Sequence, residues 1–341
     1  MGKALLKETV LIISGDPSII DSDDGPLLET GPDTRSFEVQ AAQHGQRLDR
    51  VLAAAVPEFS RSYLQQLMGL GAVQCNGVTA LKPALRVRAG DTCRVELRPT
   101  PQSSAFVAQA MDLQVVHEDA HLLVINKPAG LVVHPAPGNW AGTLLNGLLA
   151  RDAAFANLPR AGIVHRLDKD TSGLMLVARS RQAMDTLVAM IAARTVHRQY
   201  LALAHGPWNG PALREIHNAI GRDPAHRLRM AVLDAARHAA KTAWTTVERQ
   251  DTSDAACLVR CSLHTGRTHQ IRVHMAAIGH PLLADATYGG RPLAGLQRQA
   301  LHAFRLALPH PVSGLPLEFV VRPPADLELA IGRCGLRYNL S

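Results

Sequence analysis

The 341-residue sequence has no long apolar run: nothing approaches the roughly 20 consecutive apolar residues of a membrane-spanning helix. Its longest N-terminal apolar run, Val10 to Ile13, is too short for the core of a secretory signal, and acidic residues follow it. The opening Met-Gly-Lys-Ala-Leu-Leu lacks the Ser or Thr of a myristoylation signal. Cysteine is sparse. The five thiols, Cys75, Cys93, Cys257, Cys261 and Cys334, are odd in number and scattered, which argues against a disulfide-stapled secreted domain. The Cys257/Cys261 pair has no second pair to complete a zinc site. No fixed-period repeat is present, so a solenoid is excluded. These absences together predict a soluble, cytoplasmic protein with reduced thiols, without a membrane partner.

At 47% hydrophobic and 19% charged residues, the chain can bury a sizeable core, and its length suggests about two domains. The formal net charge of +7 is unevenly spread. Residues 1–40 hold three basic and eight acidic side chains, so the remainder is strongly basic, mostly through arginine. The planar arginine fork suits phosphate, and a polyanionic partner is the leading expectation.

Residues 1–35, rich in Asp, Gly, Pro, Ser and Thr, predict a flexible acidic tail. Residues 36–98 predict a compact basic unit. Leu48, Val51 and Leu52 have helical spacing. Ser60 can cap a second helix bearing Tyr63, Leu64, Leu67 and Met68, which Gly69 or Gly71 ends. Ala72 to Cys75 then reads as a strand, Asn76-Gly77 as a hairpin turn, and Cys93 to Leu97 as another strand. Residues 99–112 are expected to be a linker, 113–330 a second domain and 331–341 a C-terminal tail. In the second domain the strand signals often follow one another without an intervening helix: residues 121–125, 173–178, 200–204, 242–248, 257–263, 301–308 and 317–321. Helical spacing occupies 181–193 and 271–278. This order favours an α+β fold around a mixed or largely antiparallel sheet over a doubly wound one.

Two segments concentrate reactive side chains. In Gly162-Ile-Val-His165-Arg166-Leu167-Asp168-Lys169-Asp170-Thr171-Ser172-Gly173, an apolar strand enters a polar turn that a second apolar strand leaves. Catalytic groups are commonly displayed on loops held in this way. Asp168, beside Leu167, is expected to be partly buried and to need a cation to stay ionised. In His264-Thr265-Gly266-Arg267-Thr268-His269-Gln270-Ile271-Arg272-Val273-His274, Thr268 is a candidate N-cap with Arg272 one turn later, an arrangement suited to an anion or a carboxylate. A zinc site does not fit, because there is no H-E-x-x-H and His269 and His274 stand five apart.

The basic unit resembles the α-L RNA-binding domain of a ribosomal small-subunit protein through Arg47-Leu-Asp-Arg50-Val-Leu52, Ser60-Arg61-Ser-Tyr-Leu64, Asn76-Gly77 and Gly90-Asp91. That likeness implies RNA contacts by Arg47, Arg50 and Arg61. The remainder resembles the pseudouridine synthase family whose bacterial members act on ribosomal and transfer RNA. The likeness is carried by Asn126-Lys127-Pro-Ala-Gly130, His165-Arg-Leu-Asp-Lys-Asp-Thr-Ser-Gly173, Arg198-Gln-Tyr200 and Thr265-Gly-Arg-Thr-His-Gln-Ile-Arg272, and it continues through His280-Pro-Leu282, Tyr288-Gly-Gly290 and Gln299-Ala-Leu-His302.

The resemblance implies the pseudouridine synthase fold and isomerisation of uridine in large-subunit (23S) ribosomal RNA, either free or in an assembling subunit. It implies Asp168 as the catalytic carboxylate, Arg272 as its partner, and Tyr200 stacked on the detached base and a candidate base for the C5 proton. Arg166, with His165 beside it, would fill the place of the flipped uridine, and His165 and Thr171 would shape the loop. Lys127 and Arg267 would serve phosphates or structure. No metal or organic cofactor and no obligate protein partner is implied, and with no heptad or apolar stripe in view a monomer is expected. The sequence departs from the family pattern at His264 and in the acidic tail. Two other readings within reach are a sibling enzyme acting on other ribosomal sites or on transfer RNA, and a ribosome-assembly protein without activity. The second predicts decay at Asp168, Tyr200 or Arg272, and all three are present. A base-excising glycosylase would also use a carboxylate, and would release free base.

Overall fold

The computed structural model describes residues 33–57, 59, 61–97, 105–136, 138–226 and 229–340. The chain divides into two compact units, Met1–Arg98 and Pro99–Ser341.

In the first unit, β1 (Asp33–Glu38), α1 (Leu48–Ala55), α2 (Arg61–Gly69), β2 (Val73–Cys75), β3 (Val78–Thr79) and β4 (Thr92–Leu97) follow in order. The strands form an antiparallel sheet ordered β1-β4-β2-β3. Period-two patterning decides its inner face: Cys93, Val95 and Leu97 are buried, while Thr92 and Arg94 face out. They pack against Leu48, Val51 and Leu52 of α1 and Leu64, Leu67 and Met68 of α2. Asn76 and Gly77 both have positive φ, as the β2–β3 hairpin turn requires. Asp33 to Arg35, assigned to the tail from composition, belong to β1, where they pair with Leu97 to Val95. Backbone pairing across to β4 holds this polar stretch, a long-range interaction that local composition does not encode. The remainder of the expected tail and the Ser60 cap lie outside the described residues.

The second unit comprises β5 (Val115–Glu118), β6 (Leu122–Lys127), α3 (Leu144–Arg151), β7 (Ser172–Ala178), α4 (Arg181–Ala192), β8 (His197–His205), β9 (Leu213–Ile216), β10 (Ile220–Arg222), β11 (Met230–Val232), β12 (Ala240–Lys241), β13 (Thr245–Thr252), β14 (Ala256–Leu263), α5 (Gln270–Ala277), β15 (Leu301–Pro309), β16 (Pro316–Val320) and α6 (Ala325–Arg333). Among the described residues, nine strands form one sheet ordered β5-β6-β7-β15-β8-β14-β13-β9, with β16 also on β15. Every pairing in it is antiparallel except β7 with β15. The expected α+β class with a mixed, largely antiparallel sheet is what the chain adopts.

Strands β6 and β7 read as continuous apolar runs because both faces are covered. Leu123, Ile125, Met175 and Val177 enter one core, and Leu122, Val124, Leu174 and Leu176 enter another under Ala183 and Leu187 of α4. Strand β8 divides in the same way: Tyr200 and Ala202 face the first core, while Leu201 and Leu203 face α6. That alternation decides which β8 side chains can reach the site.

Two expected boundaries move. The second half of the linker docks onto the domain: the Asn146 side chain donates to the carbonyls of Ala105 and Val107 at 3.0 and 2.8 Å. The C-terminal segment is not a tail either. Leu327, Ala330, Ile331 and Leu336 are buried against Leu203, Leu258 and Phe304. In both places scattered apolar side chains find a core built by residues far away in sequence.

At the head of β7, Gly173 lies against β15. Its φ is +117°, and a Cβ there would sit 2.2 Å from the Ala303 carbonyl oxygen. Gly173→Ala combines a left-handed backbone with a clash against rigid main chain, and is expected to cost about 3 kcal/mol or more. A urea titration of the purified variant checks this.

Candidate active site

The loop between Ile163 and Ser172 runs directly into β7, and buried polar side chains fix it from several sides. The His165 Nε2 accepts from the Leu176 backbone N–H at 2.9 Å. Arg298 donates to the Asp170 carbonyl at 2.9 Å, and Gln299 donates to the Thr171 hydroxyl at 3.3 Å. Lys127, fully buried at the end of β6, donates to the carbonyls of Pro128, Leu131 and Lys169 at 2.8, 2.9 and 2.9 Å. Lys127 therefore serves structure rather than phosphate, holding the residue next to Asp168.

Burial pushes the Lys127 ammonium down to about 8, against the raising influence of the Asp170 and Asp168 carboxylates. The unfolded chain keeps this proton up to its ordinary 10.5, so between about pH 8 and 10.5 it binds more protons than the folded chain. The Lys127 contribution therefore makes the fold more stable as pH rises through that window. Lys127→Met strands three carbonyls and is expected to cost about 3 kcal/mol. The stability gap between wild type and variant should widen from pH 8 to 10, as urea midpoints would show.

Helix α5 brings the cation to the loop. Thr268 does not cap it: the N-cap is His269 in the left-handed region, with φ 55° and no side-chain cap. The start of the helix is held instead by Gln270, whose Oε1 accepts from the Thr265 hydroxyl and the Arg267 N–H at 2.7 and 3.0 Å. Its amide donates to the Trp244 carbonyl and the Thr245 hydroxyl at 2.9 and 2.8 Å.

Arg272 then stands between two carboxylates. Its Nε and Nη2 donate to Asp285 at 2.7 and 2.8 Å, and Nη1 donates to Asp168 at 3.0 Å. The Asp285 side chain is 1% exposed and that of Asp168 is 19% exposed, so one acid anchors the arginine and the other meets solvent. Burial alone would lower the Arg272 guanidinium. The hydrogen bonds and charge of Asp285, then those of Asp168, more than offset this and raise it. Arg272 also lies over the Tyr288 ring, 5.1 Å from its centre. The Tyr288 hydroxyl is 2.7 Å from His269 Nδ1, and His269 Nε2 is 3.8 Å from Asp168.

An open cavity of about 470 Å³ brings Asp168, Arg272, Tyr200, Arg166 and His165 together. Six arginines line it (Arg160, Arg166, Arg194, Arg198, Arg267 and Arg272), with Asp168 the single carboxylate among its lining residues. Arg166 is exposed and Tyr200 is buried. Burial raises the Tyr200 phenol, and nearby Arg198 opposes this. His264 lies flat on Trp244, with ring centres 3.8 Å apart, and shares a 2.9 Å hydrogen bond with Thr246. Its departure from the family pattern thus serves packing at the cavity wall.

Sequence reasoning left out Asp285, which lies between the quoted motifs His280-Pro-Leu282 and Tyr288-Gly-Gly290. The available signal was an acid in an otherwise apolar and small-residue stretch, Pro281-Leu-Leu-Ala-Asp285-Ala. It left Arg198 without a role, too. In the first unit, Arg47 and Arg61 do not project freely. Both donate to the fully buried Asp49, at 3.1 and 2.8 Å, and Gln65 joins them at 2.6 Å. Burial would raise the Asp49 carboxyl, but these donors hold it well below the usual carboxylate range. The two guanidiniums remain nearly half exposed, and Arg50 is exposed.

A carboxylate gripped by a buried arginine, in a basic cavity lined by a tyrosine, is the arrangement expected from the family resemblance, and comparison with known proteins bears the resemblance out. The chain belongs to the RNA pseudouridylate synthase family. That family's model matches residues 121–277, and an S4 domain matches residues 46–93. Ribosomal large subunit pseudouridine synthase D of Neisseria meningitidis serogroup A is 46% identical over 296 residues, spanning 83% of this chain and 77% of that one. The protein of the same name from Xylella fastidiosa is 44% identical, over 86% of this chain and 90% of its own length. A solved structure, human RNA pseudouridylate synthase domain containing 1, is 26% identical with a TM-score of 0.51, covering 69% of this chain and 90% of that one.

Proposed function

We propose that this chain isomerises uridine to pseudouridine in large-subunit (23S) ribosomal RNA, free or in an assembling subunit; its relatives are named ribosomal large subunit pseudouridine synthase D. The observation that carries the reading is the Asp285–Arg272–Asp168 fork, which presents one oriented carboxylate to a basic cavity. A carboxylate so held can attack C1′ of the sugar or take a proton from it, and hold the sugar while the base is detached. Rotation of the ring and attack by C5 then rejoin it and release the carboxylate, and loss of the C5 proton matched by protonation of N1 completes an isomerisation that consumes nothing.

Tyr200 supplies a face for the detached ring. Its raised phenol stays protonated at neutral pH, which supports stacking more than service as a resting base. Arg166, exposed at the cavity, suits the space left by a flipped nucleotide, and the more exposed arginines suit its phosphates. His165, whose ring accepts from main chain, shapes the loop. In the S4 domain, Arg47 and Arg61 form a fixed cationic pair around Asp49, with Arg50 beside it as a third RNA contact. The protein is proposed to work in the cytoplasm as a monomer, without an obligate protein partner or cofactor.

Incubating the full chain with large-subunit RNA, immature subunits or transfer RNA, followed by chromatography of the released nucleosides, tests the reading. Pseudouridine in either ribosomal substrate supports it. Pseudouridine in transfer RNA alone points to the sibling enzyme, and none in any substrate returns the chain to a binding role.

A further inference from the structure

Arg198 is 7% exposed and lines the cavity. Its Nε has no hydrogen-bond partner, and among the described residues no carboxylate pairs with its guanidinium. The other buried cations of the site are satisfied: Arg272 by two carboxylates and Lys127 by three carbonyls. A buried, unpaired charge is costly and persists where something offsets it, often a ligand. Strand alternation sets Arg198 on the same face of β8 as Tyr200. The Nδ1 of His165 is a second orphan in the same cavity, and it carries the proton because Nε2 accepts from Leu176. Gly266 leaves room beside the group, since a Cβ there would stand 3.0 Å from Arg198 Nη1. Phosphates can be met by the exposed Arg166 and Arg194, whereas Arg198 is sunk in the wall next to the tyrosine.

Building on the function proposed above, we infer that Arg198 is a catalytic residue that binds the oxygen-bearing edge of the detached uracil and neutralises the charge it acquires. When the N1–C1′ bond breaks, its electron pair leaves with the ring, giving a uracil monoanion spread over N1, O2 and O4, while Asp168 holds the sugar. The Arg198 guanidinium donates to a ring oxygen, and the neutral His165 N–H is placed to donate to the same edge. C5 then attacks C1′ and breaks the bond between the sugar and Asp168, freeing the carboxylate; the C5 proton is lost and N1 takes one up, so the product ring is neutral. The site is organised for a charge that exists only between the two bond changes, where fixed donors are most effective.

The test is single-turnover kinetics and equilibrium RNA binding for the full chain, with wild type, Arg198→Gln and Arg198→Lys. Arg198→Gln is expected to slow pseudouridine formation by ~10²–10³-fold with unchanged RNA affinity. Arg198→Lys should recover part of the rate. Because an unpaired buried charge is removed, the thermal midpoint of Arg198→Gln should be no lower than that of wild type. RNA carrying 5-fluorouridine, whose base leaves as a more stable anion, should show a smaller defect in glycosidic cleavage, a difference that a merely structural role would not produce. Weakened RNA binding with an unchanged single-turnover rate would assign Arg198 to a phosphate and overturn the inference. So would an undiminished rate, or an equal defect on both substrates with a lowered midpoint. A wild-type chain that forms no pseudouridine would show the failure of the functional reading before any variant is compared, and the inference would fall with it.

Discussion

Asp168→Asn is expected to bind large-subunit RNA as wild type does and to form pseudouridine at least about 10⁴-fold more slowly. The substitution keeps the shape of the side chain and still offers Arg272 an oxygen, so the loop has no cause to move. It removes the negative charge and the oxygen nucleophile, the two properties the chemistry needs. Folding stability should change by no more than about 1 kcal/mol, because Arg272 stays anchored by both oxygens of Asp285. Rapid-quench measurements with saturating enzyme, together with thermal unfolding, separate these effects. A variant that unfolds, or one that keeps a tenth of the wild-type rate, would show that Asp168 has a different role.

Arg272→Gln should fail in both respects. It leaves Asp285, 1% exposed, with no cation, and breaking a buried pair from one side costs about 3–5 kcal/mol. Activity is expected to fall as steeply as in Asp168→Asn, since Asp168, the proposed catalytic carboxylate, loses its hydrogen bond from Arg272. Adding Asp285→Asn should restore much of the stability without restoring the rate, a non-additivity expected of residues in direct contact. Urea titrations and a double-mutant cycle check both statements.

Much of this was legible in the sequence, for physical reasons that differ from place to place. Strands β6 and β7 announce themselves because burial on both faces demands unbroken apolar runs, and the polar loop between Ile163 and Ser172 stands out against them. The Asn76-Gly77 turn follows from the backbone freedom of those two residues. The α+β class follows from strands that succeed one another without crossover helices. What was not legible depends on contacts between distant residues. Asp33 to Arg35 become a strand by pairing with β4, and the C-terminal helix finds its core on β8, β14 and β15.

The same holds within the site. Asp168 and Arg272 were each visible in a dense motif, but the second carboxylate that fixes Arg272 was not: the apolar stretch around Asp285 signals burial, and its partner is a residue 13 positions away that only the fold brings to it. Arg47 and Arg61 were visible as basic residues, while the buried Asp49 that gathers them reads in sequence like any other helix acid. Thr268 looked like an N-cap because of its chemistry and position. The left-handed turn at His269 moved the helix start by one residue and gave the capping work to Gln270.

The most direct test of the account is tritium release from C5-tritiated large-subunit RNA, with released base and pseudouridine measured in the same samples. The account predicts that wild type releases one tritium for each pseudouridine formed, with no free uracil, and that Asp168→Asn releases none. Release of free uracil, or tritium release that survives Asp168→Asn, would contradict it.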